Sequence, residues 1–146
     1  MTGICHGTAV AIDGHAVLMT GASGAGKSDL GLRLIDRGAE LIADDQVEIR
    51  GDLTLSAPKA LAGMIEVRGI GIVSRPYAQN APLRLLIELG EDGERMPSSW
   101  PLIDFHGWSV PYLRLNAFAS SAPIKVEIAV KSLVDAGLLP VRLSER

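Results

Sequence analysis

Gly21-Ala22-Ser23-Gly24-Ala25-Gly26-Lys27-Ser28 decides the fold of this 146-residue chain. It follows an apolar run, His15-Ala16-Val17-Leu18-Met19-Thr20, and leads into Lys27 to Arg37, where Leu30, Leu34 and Ile35 share one helical face. Gly38 stands where a helix-ending glycine belongs. A glycine-rich loop between a strand and a helix is the setting in which the pattern G-x-x-x-x-G-K-S binds phosphate. The glycines let backbone N–H groups converge on phosphate oxygens, and the helix N-terminus adds partial positive charge. Lys27 is expected to reach the β and γ phosphates, and Ser28 to offer its hydroxyl to Mg²⁺. All eight residues, Gly21, Ala22, Ser23, Gly24, Ala25, Gly26, Lys27 and Ser28, are thus candidate ligands of a nucleoside triphosphate.

Upstream, Thr8-Ala9-Val10-Ala11-Ile12 and the run from His15 to Thr20 flank Asp13-Gly14, a pair suited to the positive φ angles of a type I′ turn. Two antiparallel strands are predicted. Downstream, Glu40-Leu41-Ile42-Ala43 is short and apolar and ends in Asp44-Asp45. It reads as a buried strand lying beside the phosphate-loop strand, which would bring both carboxylates to the ligand end of the sheet. Magnesium takes one or two carboxylates together with phosphate and water oxygens, and these two aspartates are natural candidates. Val47-Glu48-Ile49-Arg50 and Leu53-Thr54-Leu55 suggest another hairpin around Gly51-Asp52. Alternation predicts strands over Leu83 to Leu89 and over Ile124 to Val130. A short helix and an extended end are expected from Ser132 to Arg146, where Gly137 and Pro140 interrupt the pattern.

Composition bounds the rest. Hydrophobic residues make up 47% and charged residues 21%, which is globular, and an aromatic content of 4% leaves the core to aliphatic side chains. A net charge of −3 and a pI near 5.6 argue against nucleic acid as a partner. No apolar run is long enough to cross a bilayer, the N-terminus lacks signal-peptide features, and Cys5 is the lone cysteine. A cytoplasmic protein with no membrane association is expected. Cys5 reads as a small buried residue rather than a reactive thiol.

His6-Gly7, the loop Gly21 to Ser28, Arg37-Gly38, Leu41-Ile42-Ala43-Asp44-Asp45 and Glu66-Val67-Arg68-Gly69-Ile70-Gly71-Ile72 occur in that order. Together they resemble the HPr kinase/phosphorylase family, closely from about Ile4 to Val73 and loosely afterwards. The resemblance implies an α/β fold, a phosphate-loop mixed β-sheet with flanking helices like the catalytic core of that family and of phosphoenolpyruvate carboxykinase. It implies ATP-dependent phosphorylation of a serine of HPr or an HPr-like phosphocarrier protein, with ATP and Mg²⁺ as cofactors. It also assigns roles. Lys27 matches the phosphate-binding lysine, Ser28 and Glu66 the metal ligands, Asp45 the catalytic base and His6 an active-site histidine. Asp44 is a further acidic candidate beside Asp45. Arg95, in Gly93-Glu94-Arg95-Met96-Pro97, matches the family's later catalytic arginine across a loop shorter than the family's.

Two departures shape the expectation. Opening with Met1, the chain reads as a single catalytic domain over 1–146, without the family's N-terminal regulatory domain and with less of its helical C-terminal region. The family's basic Pro-x-x-Arg-Pro-Gly-Arg type segment is replaced by Asn116-Ala117-Phe118-Ala119-Ser120-Ser121-Ala122-Pro123. That segment is tied to dephosphorylation, so phosphorylase activity is expected to be weak or absent. A homo-oligomer, a hexamer by resemblance, is expected. A small-molecule kinase, or a nucleotide-binding regulatory module without efficient catalysis, are the alternatives.

Overall fold

The computed structural model describes residues 2–145. Its first elements are β1 (Thr2–His6), β2 (Thr8–Ile12), β3 (His15–Thr20), α1 (Lys27–Asp36), β4 (Glu40–Ala43), β5 (Gln46–Arg50) and β6 (Thr54–Ser56). There follow β7 (Met64–Val67), β8 (Gly71–Ser74), β9 (Ala81–Leu89), β10 (Leu102–Phe105), β11 (Trp108–Leu115), α2 (Ala122–Asp135) and β12 (Val141–Arg142). The main sheet has ten strands and runs β1-β5-β6-β9-β3-β2-β4. β9 is long enough to pair on one side with β3, in parallel, and on the other first with β6 and then with β11. β3, β9 and β11 are mutually parallel, so the loops at their carboxyl ends open on the same side. β7 and β8 form a separate hairpin.

The tight turn between β2 and β3 is as its sequence predicts: Ile12 pairs with His15, and Asp13 and Gly14 take φ values of 49° and 81°. Both faces of the central strands are covered. Val17 and Met19 pack with Leu30 and Leu34 of α1 and with Val126, Val130 and Leu133 of α2. Ala16 and Leu18, on the opposite face, pack with Val47, Ile49 and Leu55 of the curled-over β5–β6 hairpin. Burial on both faces explains why β3 reads as a nearly continuous apolar run.

Two expectations are corrected. Ile124 to Val130 is not a strand; it lies inside α2, which continues through Ser132 to Asp135. Val126, Ala129, Val130 and Leu133 are buried at helical spacing, while Ile124 and Ile128 are 43% and 59% exposed. Apolar residues on the solvent face thus imitated the period of a strand. Gly137, at φ 68°, ends the helix, and the chain then extends into β12. The second correction concerns β4, which pairs with β2 and not with β3. The hairpin strand β2 lies between them, antiparallel to both, so the ends of β3 and β4 still face the same way.

Candidate active site

The phosphate loop connects β3 to α1, and Gly26 caps the helix with φ 95°. Only glycine suits this position. Its backbone is left-handed, and a Cβ there would stand 3.0 Å from Cβ of Ala117. Lys27 folds back along the loop, its Nζ donating to the carbonyls of Gly21 at 2.9 Å and Ala22 at 3.1 Å. The lysine is thereby held over the loop's own backbone by two carbonyls.

Asp44 is the centre of the site. It is buried, 7% exposed, and accepts three hydrogen bonds. Thr8 Oγ1 and Ser28 Oγ each donate to Oδ1 at 2.7 Å, and the backbone N–H of Glu66 donates to Oδ2 at 2.9 Å. One carboxylate thereby joins β2, α1, the end of β4 and β7. The N–H of Glu66 is fixed by that bond, and its exposed side chain lines the same cavity.

Asp45, the next residue, turns outward with φ 72°, a conformation Asp tolerates better than most residues. Its carbonyl accepts from the N–H of Gly7 at 3.1 Å, and its carboxylate lies 3.4 Å from Nδ1 of His6. Both side chains are about two-thirds exposed, at 64% and 66%. The adjacent aspartates thus have different surroundings: Asp44 is built into the protein, and Asp45 is exposed to solvent beside His6.

These residues border one cavity of about 390 Å³, whose wall also includes Arg68 and Phe118. His6, Lys27, Ser28, Asp44, Asp45 and Glu66 are all brought together there. Arg95 is not: it is exposed in the loop after β9 and is absent from the cavity wall. Thr8, Asp29, Leu32 and Arg68 are wall residues that sequence reasoning passed over, although Arg68 lies inside the quoted Glu66-Val67-Arg68 stretch. Cys5, half-buried on β1, has its thiol pushed up by burial, which disfavours the reactive thiolate.

Among the described residues, no three His, Cys, Asp or Glu side chains converge closely enough to hold a metal by themselves. One hydroxyl and one carboxylate in contact, with a second carboxylate nearby, is the donor set of an ion that completes its shell from phosphate and water. Magnesium fits that set.

Residues 2–115 match the family model described as HPr Serine kinase C-terminal domain. The chain belongs to this family. The HPr kinase/phosphorylase of Clostridium botulinum (strain Eklund 17B / Type B) is 54% identical over 71 residues, which are 47% of this chain and 23% of that protein. The enzyme of Clostridium tetani is 50% identical over 74 residues, 49% of this chain and 24% of that protein. The similarity spans about a quarter of the length of these curated relatives. The structure of the Hpr(Ser) kinase/phosphatase from Coxiella burnetii superposes with a TM-score of 0.78 at 27% identity, covering 92% of this chain and 98% of that one. The mixed sheet with its two helices is therefore the HPr kinase fold.

Proposed function

We propose that this HPr kinase family chain transfers the γ-phosphoryl group of ATP to a serine of HPr or an HPr-like phosphocarrier protein. The observation that carries the proposal is Asp44. It ties the magnesium-type serine of the phosphate loop to the Glu66 strand, with Asp45 directed outward beside it. In this reading, Lys27 and the N–H groups of the phosphate loop hold the nucleotide phosphates. Ser28, Asp44 and Glu66 would hold Mg²⁺, which when bound offsets charge on the transferring group. Asp45 accepts the proton of the serine hydroxyl as its Oγ bonds to the γ-phosphorus. The bond from that phosphorus to the β,γ-bridging oxygen breaks, and ADP leaves. His6, 3.4 Å from Asp45, steadies the base. No role is proposed for Arg95.

The reaction is proposed to run poorly in reverse. Phosphorolysis needs free phosphate at the acceptor position, an anion that arginine commonly holds. Residues 116–121 contribute Phe118 to the cavity wall and no cation. The arginine that reaches this segment, Arg33, is already engaged by the carbonyls of Ala117 and Ala119. The test compares labelling of the carrier by ATP with release of carrier phosphate in millimolar inorganic phosphate. A kinase rate at least about a hundredfold above the phosphorolysis rate is expected from the loss of two charge-assisted bonds. Comparable rates would sink the directional claim, and absence of labelling would sink the kinase itself.

A further inference from the structure

Phe118 is 68% exposed and lines the phosphate cavity. An exposed phenylalanine is ordinary by itself, but this one sits on a loop held from several directions. Its N–H donates to Oδ1 of Asn116 at 3.0 Å, and the N–H of Asn116 donates to Oδ1 of Asp92 at 3.0 Å. The guanidinium of Arg33 donates to the carbonyls on either side, those of Ala117 and Ala119. These bonds fix the backbone from which the ring projects. Its Cε1 and Cζ lie 3.3 and 3.4 Å from where a Cβ on Gly26 would stand. One edge thus leans on the last glycine of the phosphate loop, while most of the ring is left to solvent.

Topology says what such a ring can meet. Phe118 follows β11, which lies two strands from β3 with β9 between, all three parallel. The Phe118 loop and the phosphate loop therefore occupy the carboxyl edge of one parallel set, where such sheets take their ligands. Lys27 and Ser28, with Asp44 beside them to hold a metal ion, suit magnesium-bound phosphates. Phe118 and, on α1, Leu32 supply apolar surface on the same cavity.

We propose that Phe118 is the platform on which the nucleobase of the triphosphate stacks; this rests on the phosphate-loop reading above. An aromatic ring stacks on any base, so the platform adds affinity for nucleoside triphosphates without selecting strongly among them.

The test measures binding of magnesium-ATP and magnesium-tripolyphosphate by calorimetry to the wild-type chain and to Phe118→Ala, Phe118→Leu and Phe118→Trp. Leucine keeps apolar packing against Gly26 and removes the π face, which separates stacking from loop structure. Expected is a loss of roughly tenfold to a hundredfold in ATP affinity for the alanine and leucine variants. Tripolyphosphate affinity is unchanged in both, and tryptophan restores ATP binding. Unchanged ATP affinity in the alanine and leucine variants overturns the proposal, even if their KM for a protein acceptor rises. Equal losses for both ligands also overturn it, because the ring would then only shape the loop. A wild-type chain that binds tripolyphosphate as tightly as ATP refutes the platform alone, whereas one that binds neither refutes the phosphate-loop reading with it.

Discussion

Replacing Asp44 with alanine removes the acceptor of three hydrogen bonds at once. The hydroxyls of Thr8 and Ser28 can rotate toward other acceptors, but the N–H of Glu66 is fixed in β7 and loses its partner. An orphaned amide costs about 1–3 kcal/mol, and bonds to a charged group contribute about 1.5–3 kcal/mol each. Against this stands the relief of no longer burying a carboxylate. The net loss is about 2–4 kcal/mol, which at about 2–4 °C per kcal/mol lowers Tm by roughly 5–15 °C. Asp44→Asn behaves differently. Its amide oxygen can still accept from Glu66, and its NH₂ can donate to the two hydroxyls, so about 1 kcal/mol is lost. Thermal denaturation with and without magnesium-ATP separates the structural from the ligand-binding role. The wild-type chain is expected to be stabilised by the nucleotide, and both variants to gain much less because the proposed metal ligand is gone. If Asp44→Ala melted with the wild type and kept the full gain, the hub assignment would be refuted.

Lys27→Ala is expected to weaken ATP binding at least tenfold with Tm within a few degrees of wild type, since its Nζ contacts only loop carbonyls. Unchanged affinity in calorimetry would remove Lys27 from the phosphate site. Glu66→Ala keeps the N–H that Asp44 needs and deletes only the side chain, so activity should return at higher Mg²⁺ concentration; a normal metal titration would contradict this. Asp52 lies at the turn between β5 and β6, where its carboxylate accepts from Thr54 and is held below its ordinary pKa by that interaction. Its contribution is present above the usual carboxylate range and disappears as pH falls through the lowered folded value. Asp52→Asn should therefore lower Tm at neutral pH and make no difference in strong acid, and an equal effect at both pH values would count against the turn bond.

The elements legible in the sequence are those specified locally. Asp13-Gly14 states its own turn geometry, and the phosphate loop, α1 and Gly38 follow from glycine placement and helical spacing. The α2 segment imitates a strand because Ile124 and Ile128 are apolar on the solvent side, so the choice between periods rests on packing that no local pattern carries. β10 and β11 had no clean alternation, and Pro111 lies within β11, so their pairing emerges only in the folded sheet. In the site, both aspartates are visible in the sequence, but the contrast in their surroundings is not. It depends on the left-handed backbone of Asp45 and on a hydroxyl from Thr8, 36 positions away from Asp44. Arg68 went unassigned because a charge at a strand end is usually only solvated.

The proposed role of Asp45 is that of base in a magnesium-dependent phosphoryl transfer. Single-turnover transfer from γ-labelled ATP to a serine of an HPr-like carrier tests it, with wild type and Asp45→Asn compared at equal nucleotide occupancy. Expected are transfer by the wild-type chain that ceases on chelation of Mg²⁺, and an asparagine variant that binds ATP normally but transfers about 10²–10⁴-fold more slowly. Transfer by Asp45→Asn at the wild-type rate would contradict that role.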